Sequence, residues 1–302
     1  MNYEDITIQA TDFYSLSARL FDVPSPKAVV NVLHGMEEHK ERYDQFASFL
    51  QEQGYVVLTC DMRGHGKNAP HLSHIADKGG ARLLVRDVRT LFSWLRKRYP
   101  DLPQYLFAHS MGTIIARKVL QADSRKYGKV VLSGYPVPQK ASLAGIVLTG
   151  LAAAFQKEGM KGHSALVTKM AMGGFSKAIP DAQTPLDWLS YNQDNIRRYQ
   201  ESDLCGTEFT LGSYDALFRL VRDIAIPGLY HDVKEDLPIL LISGEDDPCT
   251  GGEKGRKTSV DVLKKAGFGK LEVETIPHMR HEILNETDHE LVYEKILTFL
   301  ES

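Results

Sequence analysis

The stretch Leu106-Phe107-Ala108-His109-Ser110-Met111-Gly112 decides the fold, because it joins a short apolar run to a helical one through a single tight turn. Tyr105 to Ala108 predicts a buried strand and Thr113 to Leu120 predicts a helix. A small-x-Ser-x-Gly turn between a strand and a helix holds a serine in strained geometry at the sheet edge. Small residues belong there because the two backbones approach closely. The helix that follows offers free N–H groups and the positive end of its dipole. The usual turn begins with Gly and this one begins with Ala108, which an ordinary φ accommodates. The alternative is a serine that merely caps a helix.

Outward from this turn the same alternation recurs. Ile6 to Phe21 alternates polar and apolar residues about a turn near Asp12, a hairpin signal. Strands are expected at Ala28–Leu33, Tyr55–Cys60, Lys129–Ser133, Pro238–Ser243 and Leu271–Ile276. Helices are expected around Tyr43–Leu50, Leu83–Tyr99, Gly255–Ala266 and Thr287–Leu300. Pro100 stops the second of these, and Arg96-Lys97-Arg98 place cations where the helix dipole favours them. Alternating strands and helices predict an α/β fold, a mostly parallel sheet with helices on both faces. From about 137 to 230 strand signals lapse. The spacing therefore predicts a core of residues 1–136 and 231–302 with a helical cap inserted at 137–230. Ala141 to Phe155 is apolar but too short to span a membrane. It predicts a buried helix, with a face able to touch a membrane surface transiently.

Two further turns stand at the same sheet edge. Ser243-Gly244-Glu245-Asp246-Asp247-Pro248 follows the strand that resumes after the insert, and Ile276-Pro277-His278-Met279-Arg280-His281-Glu282 follows the last strand. Ser110, Asp247 and His281 then occur in the chain order of a nucleophile, an acid and a base on a doubly wound sheet. His281 is expected to act as general base and Asp247 to hold its tautomer. The expected oxyanion donors are the backbone N–H groups of Met36, in the loop after Leu33, and Met111. His34, Gly35, Arg63 and His65 read as residues that shape these turns.

The chain has 302 residues, with 36 basic and 39 acidic side chains, for a net charge of −3. No basic face suggests a nucleic-acid partner. Three cysteines, Cys60, Cys205 and Cys249, argue against a disulfide framework and for a reducing, cytoplasmic setting. The acidic start Met1-Asn2-Tyr3-Glu4-Asp5 lacks the pattern of a secretory signal. His71 with His74, or His278 with His281, have spacings a metal accepts, but no H-E-x-x-H motif accompanies them, so no metal site is expected. No motif sets an oligomeric state.

These segments resemble the monoglyceride lipase and lysophospholipase group of the α/β-hydrolases. The resemblance rests on His34-Gly35 with Glu38-His39 and Glu41-Arg42-Tyr43, on Asp61-Met62-Arg63-Gly64-His65-Gly66, and on the turn at Ser110. Gly244-Glu245-Asp246-Asp247-Pro248 and Arg280-His281-Glu282 complete it. It implies a serine hydrolase that uses no cofactor and cleaves small-molecule esters bearing an apolar acyl chain, of monoacylglycerol or lysophospholipid type. It places the acid directly before Pro248. Carboxylesterase, thioesterase and aminopeptidase share the fold, and a binding module that kept only the pocket is the non-enzymatic alternative. An aminopeptidase wants a cap carboxylate for the substrate ammonium, with Glu158, Asp181 and Asp187 as candidates.

Overall fold

The computed structural model describes residues 2–138, 142–180 and 182–302. Ala141 and Asp181, and the initial Met1, lie outside the described residues. Eight strands form one sheet: β1 (Glu4–Gln9), β2 (Ser15–Phe21), β3 (Ala28–Leu33), β4 (Tyr55–Cys60), β5 (Gln104–His109), β6 (Lys129–Ser133), β7 (Ile239–Gly244) and β8 (Leu271–Ile276). Their spatial order is β1-β2-β4-β3-β5-β6-β7-β8. β1 pairs antiparallel with β2, and β2 with β4; every later pairing is parallel. This is the mostly parallel α/β sheet expected from the alternation, in the α/β-hydrolase arrangement that the resemblance implied.

The helices are α1 (Asp44–Glu52), α2 (Gly80–Arg98), α3 (Met111–Asp123), α4 (Ser142–Ala154), α5 (Ala165–Met172), α6 (Gln193–Glu201), α7 (Leu211–Ile224), α8 (Gly252–Lys265) and α9 (His289–Glu301). The central strands are buried on both faces, so they read as unbroken apolar runs rather than alternating ones. The period of two appears only in what each side chain meets. On β5, Leu106 and Ala108 enter the core under α2, α3 and α8, while Phe107 enters the core under α1 and α9. Each large aliphatic or aromatic side chain so buried contributes about 1.5–3 kcal/mol.

Between β6 and β7 the described residues form α4 to α7 and no strand. α4 corrects one expectation. Only Ser142, Gly145 and Thr149 are buried on it, whereas Leu143, Val147 and Leu151, with Phe155 just beyond its end, are exposed. The physical reason is close packing. Gly145 faces Phe218 of α7, and a β-carbon there would stand 2.8 Å from that ring. The small residues let α4 lie against α7, and the apolar residues four apart are left facing outward. No helix among the described residues is long and apolar enough to cross a membrane.

Candidate active site

β5 ends at His109 and α3 begins at Met111, so Ser110 is the whole turn. Its backbone has φ +50° and ψ −118°, a conformation that costs a non-glycine residue about 1–3 kcal/mol. Close approach explains the glycine two residues on: a β-carbon at Gly112 would stand 2.4 Å from the Leu33 carbonyl oxygen. Ala108 is an ordinary, fully buried strand residue, so its methyl costs the turn nothing. The Ser110 N–H is tied to the Ser133 carbonyl on the neighbouring strand at 3.0 Å.

The structure brings Ser110, His281 and Asp247 together. His281 Nε2 lies 2.8 Å from Ser110 Oγ, and its Nδ1 lies 3.0 Å from Asp247 Oδ2. Asp247 Oδ1 accepts the Cys249 N–H at 2.8 Å, which fixes the carboxylate within its turn. Asp247 and His281 are 1% and 2% exposed. Burial alone disfavours imidazolium at His281, but the Asp247 carboxylate, helped by Glu282 and Glu38, outweighs it and raises the pKa. Asp246 is exposed and accepts the Tyr191 hydroxyl at 3.0 Å; His278 is exposed and lies away from this line.

Met36 follows Gly35, where a β-carbon would stand 3.1 Å from Ser110 Cβ. Met36 and Met111 both line the cavity at Ser110, and among the described residues neither backbone N–H has a protein acceptor. His34 and His65 act on the turns. His34 accepts the Met62 N–H at Nε2, 2.9 Å away, and its ring meets His65 edge-on at 4.9 Å. Burial holds His34 near a pKa of about 4 and His65 near about 3, so both are neutral packing groups. Arg63 is engaged by Asp87 and Asp12.

Several contributors escaped the sequence. Trp188 lies in the insert, with its ring 5.0 Å from His281 and its carbonyl accepting the His281 N–H at 3.4 Å. His109 flanks the same imidazole at 4.7 Å; burial and the charge of His281 lower its pKa to about 4. Arg42 grips Glu282, and Glu37 lines the cavity. Arg42 and Glu282 stood in the segments already singled out, but no spacing rule pairs residues so far apart. Of the cap carboxylates considered, Glu158 is exposed, and Asp187 is buried against Thr184 and the Gln183 N–H.

The cavity measures about 840 Å³ and opens on Ser110. Met170, Met172, Phe175 and Trp188 from the insert, with Leu217 and Val221 of α7, make much of its wall. Among the described residues that line it, none is Lys or Arg.

The family described as serine aminopeptidase, S33, matches residues 24–288. Monoacylglycerol lipase of Mycolicibacterium smegmatis is 24% identical over 281 residues, 92% of this chain and 89% of that protein. Monoglyceride lipase of Homo sapiens is 27% identical over 274 residues, 89% of this chain and 81% of that protein. A thermostable carboxyl esterase from Bacillus coagulans, solved with glycerol, superposes with a TM-score of 0.90 at 24% identity, over 100% of this chain and 98% of that one. At that identity the likeness is one of fold.

Proposed function

The chain belongs to the serine aminopeptidase S33 family of α/β-hydrolases and is a carboxylic ester hydrolase, and from that premise we propose how its site works and on what. Ser110 is the nucleophile, His281 the general base and Asp247 the group that orients and charge-balances the base. Ser110 Oγ attacks the ester carbonyl while His281 Nε2 takes its proton. The N–H groups of Met36 and Met111 receive the oxyanion. His281 then protonates the departing alcohol, leaving an acyl-enzyme on Ser110. A water molecule, deprotonated by His281, attacks that ester; the acyl–Oγ bond breaks, His281 returns the proton to Ser110 Oγ, and the acid is released. Asp247 stays ionised throughout.

The substrate class is an ester with one apolar acyl chain, of monoacylglycerol or lysophospholipid type. The observation that carries this is the mainly apolar cavity opening on Ser110. Residues 137–230 act as a cap that roofs the nucleophile and shelters the chain from water. Its outer face, Leu143, Val147, Leu151 and Phe155, touches lipid surfaces transiently, which brings the cavity to its substrate. Labelling with a fluorophosphonate tests the nucleophile. Wild type should be labelled at Ser110 and Ser110→Ala should not. Hydrolysis of esters of graded acyl length, beside an aminoacyl amide, tests the substrate class.

A further inference from the structure

Four glutamates line the cavity: Glu37, Glu38, Glu208 and Glu282. Arg42 pairs with both Glu38 and Glu282, and His163 lies 3.8 Å from Glu208. Glu37 differs. Its carboxylate accepts the Phe209 N–H at 3.2 Å, and among the described residues no basic side chain pairs with it. Its position is also unusual. Glu37 has φ +56°, a left-handed conformation that favours glycine. The strain is held by the insert: the Glu37 carbonyl accepts the Gly206 N–H at 2.9 Å and the Tyr199 hydroxyl at 3.0 Å. A carboxylate is thus fixed one residue from the Met36 N–H, in a cavity with no Lys or Arg among its described lining residues.

We infer that Glu37 is a specificity-determining residue, a charge filter that rejects anionic esters and admits neutral or cationic ones. The inference rests on the proposal that the cavity at Ser110 takes esters. An anionic group entering the cavity meets an uncompensated like charge in a partly desolvated space, where repulsion over several ångströms is much stronger than in water. Burial, and then the charge of Glu208, push the Glu37 acid up to about 7, opposed by the Phe209 N–H. Assays at about pH 8 therefore find it mostly ionised. The alternative is that Glu37 only clamps the loop to the insert. Glu37→Gln separates the two, because it keeps an acceptor for the Phe209 N–H and removes the charge.

The test compares kcat/KM of wild type and Glu37→Gln at low salt on two matched ester pairs. In one pair the acyl chain ends in a carboxylate or in its methyl ester. In the other the alcohol is glycerol or glycerol phosphate. The neutral-over-anionic ratio should fall by about tenfold or more in the variant for at least one pair. A ratio within about twofold of wild type in both pairs overturns the filter. If esters turn over too slowly, the same ratio is read from Ser110 labelling by a neutral and a carboxylate-bearing fluorophosphonate, with the same two outcomes. Wild type that is labelled by neither probe refutes the nucleophile assignment, and the filter falls with it.

Discussion

Arg42 and Glu282, 240 residues apart, meet in a two-pronged ion pair with both N···O distances at 2.6 Å. Arg42 stands just after the loop that carries Met36 and Glu282 just after His281, so the pair ties the two loops that face each other across Ser110. Both side chains are nearly sealed from water, at 10% and 4% exposure. Asn195 of α6 completes the join, donating to Glu282 at 2.6 Å and accepting from Arg42 at 2.9 Å.

Arg42→Ala leaves the Glu282 and Glu38 carboxylates buried without their cation, and should lower unfolding stability by about 3–5 kcal/mol at neutral pH. Arg42→Lys keeps the charge but loses the fork, so its loss should be smaller. The pair also sets a pH window. Burial alone would raise the Glu282 pKa, but Arg42 and Asn195 depress it to about 2. A depressed acid contributes stability above its unfolded value of about 4.3, and that contribution is lost as pH falls toward about 2. Urea titrations across that range should find a shallower acid slope in Arg42→Ala than in wild type. Equal slopes would show that the pair does not anchor the loops.

The assignment of the acid is tested by Asp247→Asn beside Asp246→Asn. The first leaves His281 without its charge partner and should lower kcat by about ten-thousandfold. The second loses an exposed contact with Tyr191 and should stay within about threefold of wild type. A larger loss in the Asp246 variant would reverse the roles.

Ionisation of His281 follows from the same contact. Ester turnover requires neutral imidazole, so kcat/KM should rise with pH through a midpoint above the ordinary value of about 6.5. Asp247→Asn should move that midpoint down, because burial then acts with no carboxylate to oppose it. The linkage has the opposite sign to that of Glu282. The raised His281 pKa adds stability that is complete below the unfolded value and fades as pH climbs through the folded one. A midpoint unmoved in Asp247→Asn would mean that the titrating group is not His281.

Much of this was legible in the sequence for a simple reason. Strands buried on both faces leave apolar runs such as Val29 to Leu33, and turns at one sheet edge leave Gly and Pro around polar residues. Those two signals located the sheet, and the side chains of Ser110, Asp247 and His281 lie together where the turns converge. What stayed hidden depends on packing between distant segments. α4 looked buried because its composition is apolar, yet Gly145 is what meets Phe218 of α7, while Leu143, Val147 and Leu151 face outward. The wall at Trp188 comes from the insert folding back on the core, and the Arg42–Glu282 pair from two core loops 240 residues apart, which no local period records.

The outer face of α4 yields a separate expectation. Val147 and Leu151 are 55% and 54% exposed and do not line the cavity. Val147→Glu/Leu151→Glu should leave turnover of a short soluble ester unchanged and weaken binding to phosphatidylcholine vesicles by tenfold or more, since each side chain gives up about 1.5–3 kcal/mol of burial in the membrane interface. Sedimentation with vesicles reads this directly. Unchanged binding would remove α4 from the lipid contact.

The substrate class turns on how the rate responds to acyl length. A methylene moved from water into an apolar wall gains up to about 0.8 kcal/mol. If half of that is expressed at the transition state, each added methylene doubles kcat/KM, and four should raise it by more than about tenfold. The rise should stop once the chain fills the space bounded by Met170, Met172 and Phe175. Narrowing that space tests the same point: Leu217→Trp should shorten the preferred chain while leaving the shortest ester nearly unaffected. The amide alternative makes the opposite demand. An aminopeptidase must hold an α-ammonium group, and Asp187 is already engaged by Thr184 and Gln183. Glu37 is the carboxylate in the cavity that an ammonium group would meet. A flat response to acyl length, with efficient cleavage of an aminoacyl amide that Glu37→Gln abolishes, would therefore replace the lipid-ester assignment with an amine-recognising one. A steep response with negligible amide cleavage leaves the acyl chain as the part of the substrate that the cavity reads.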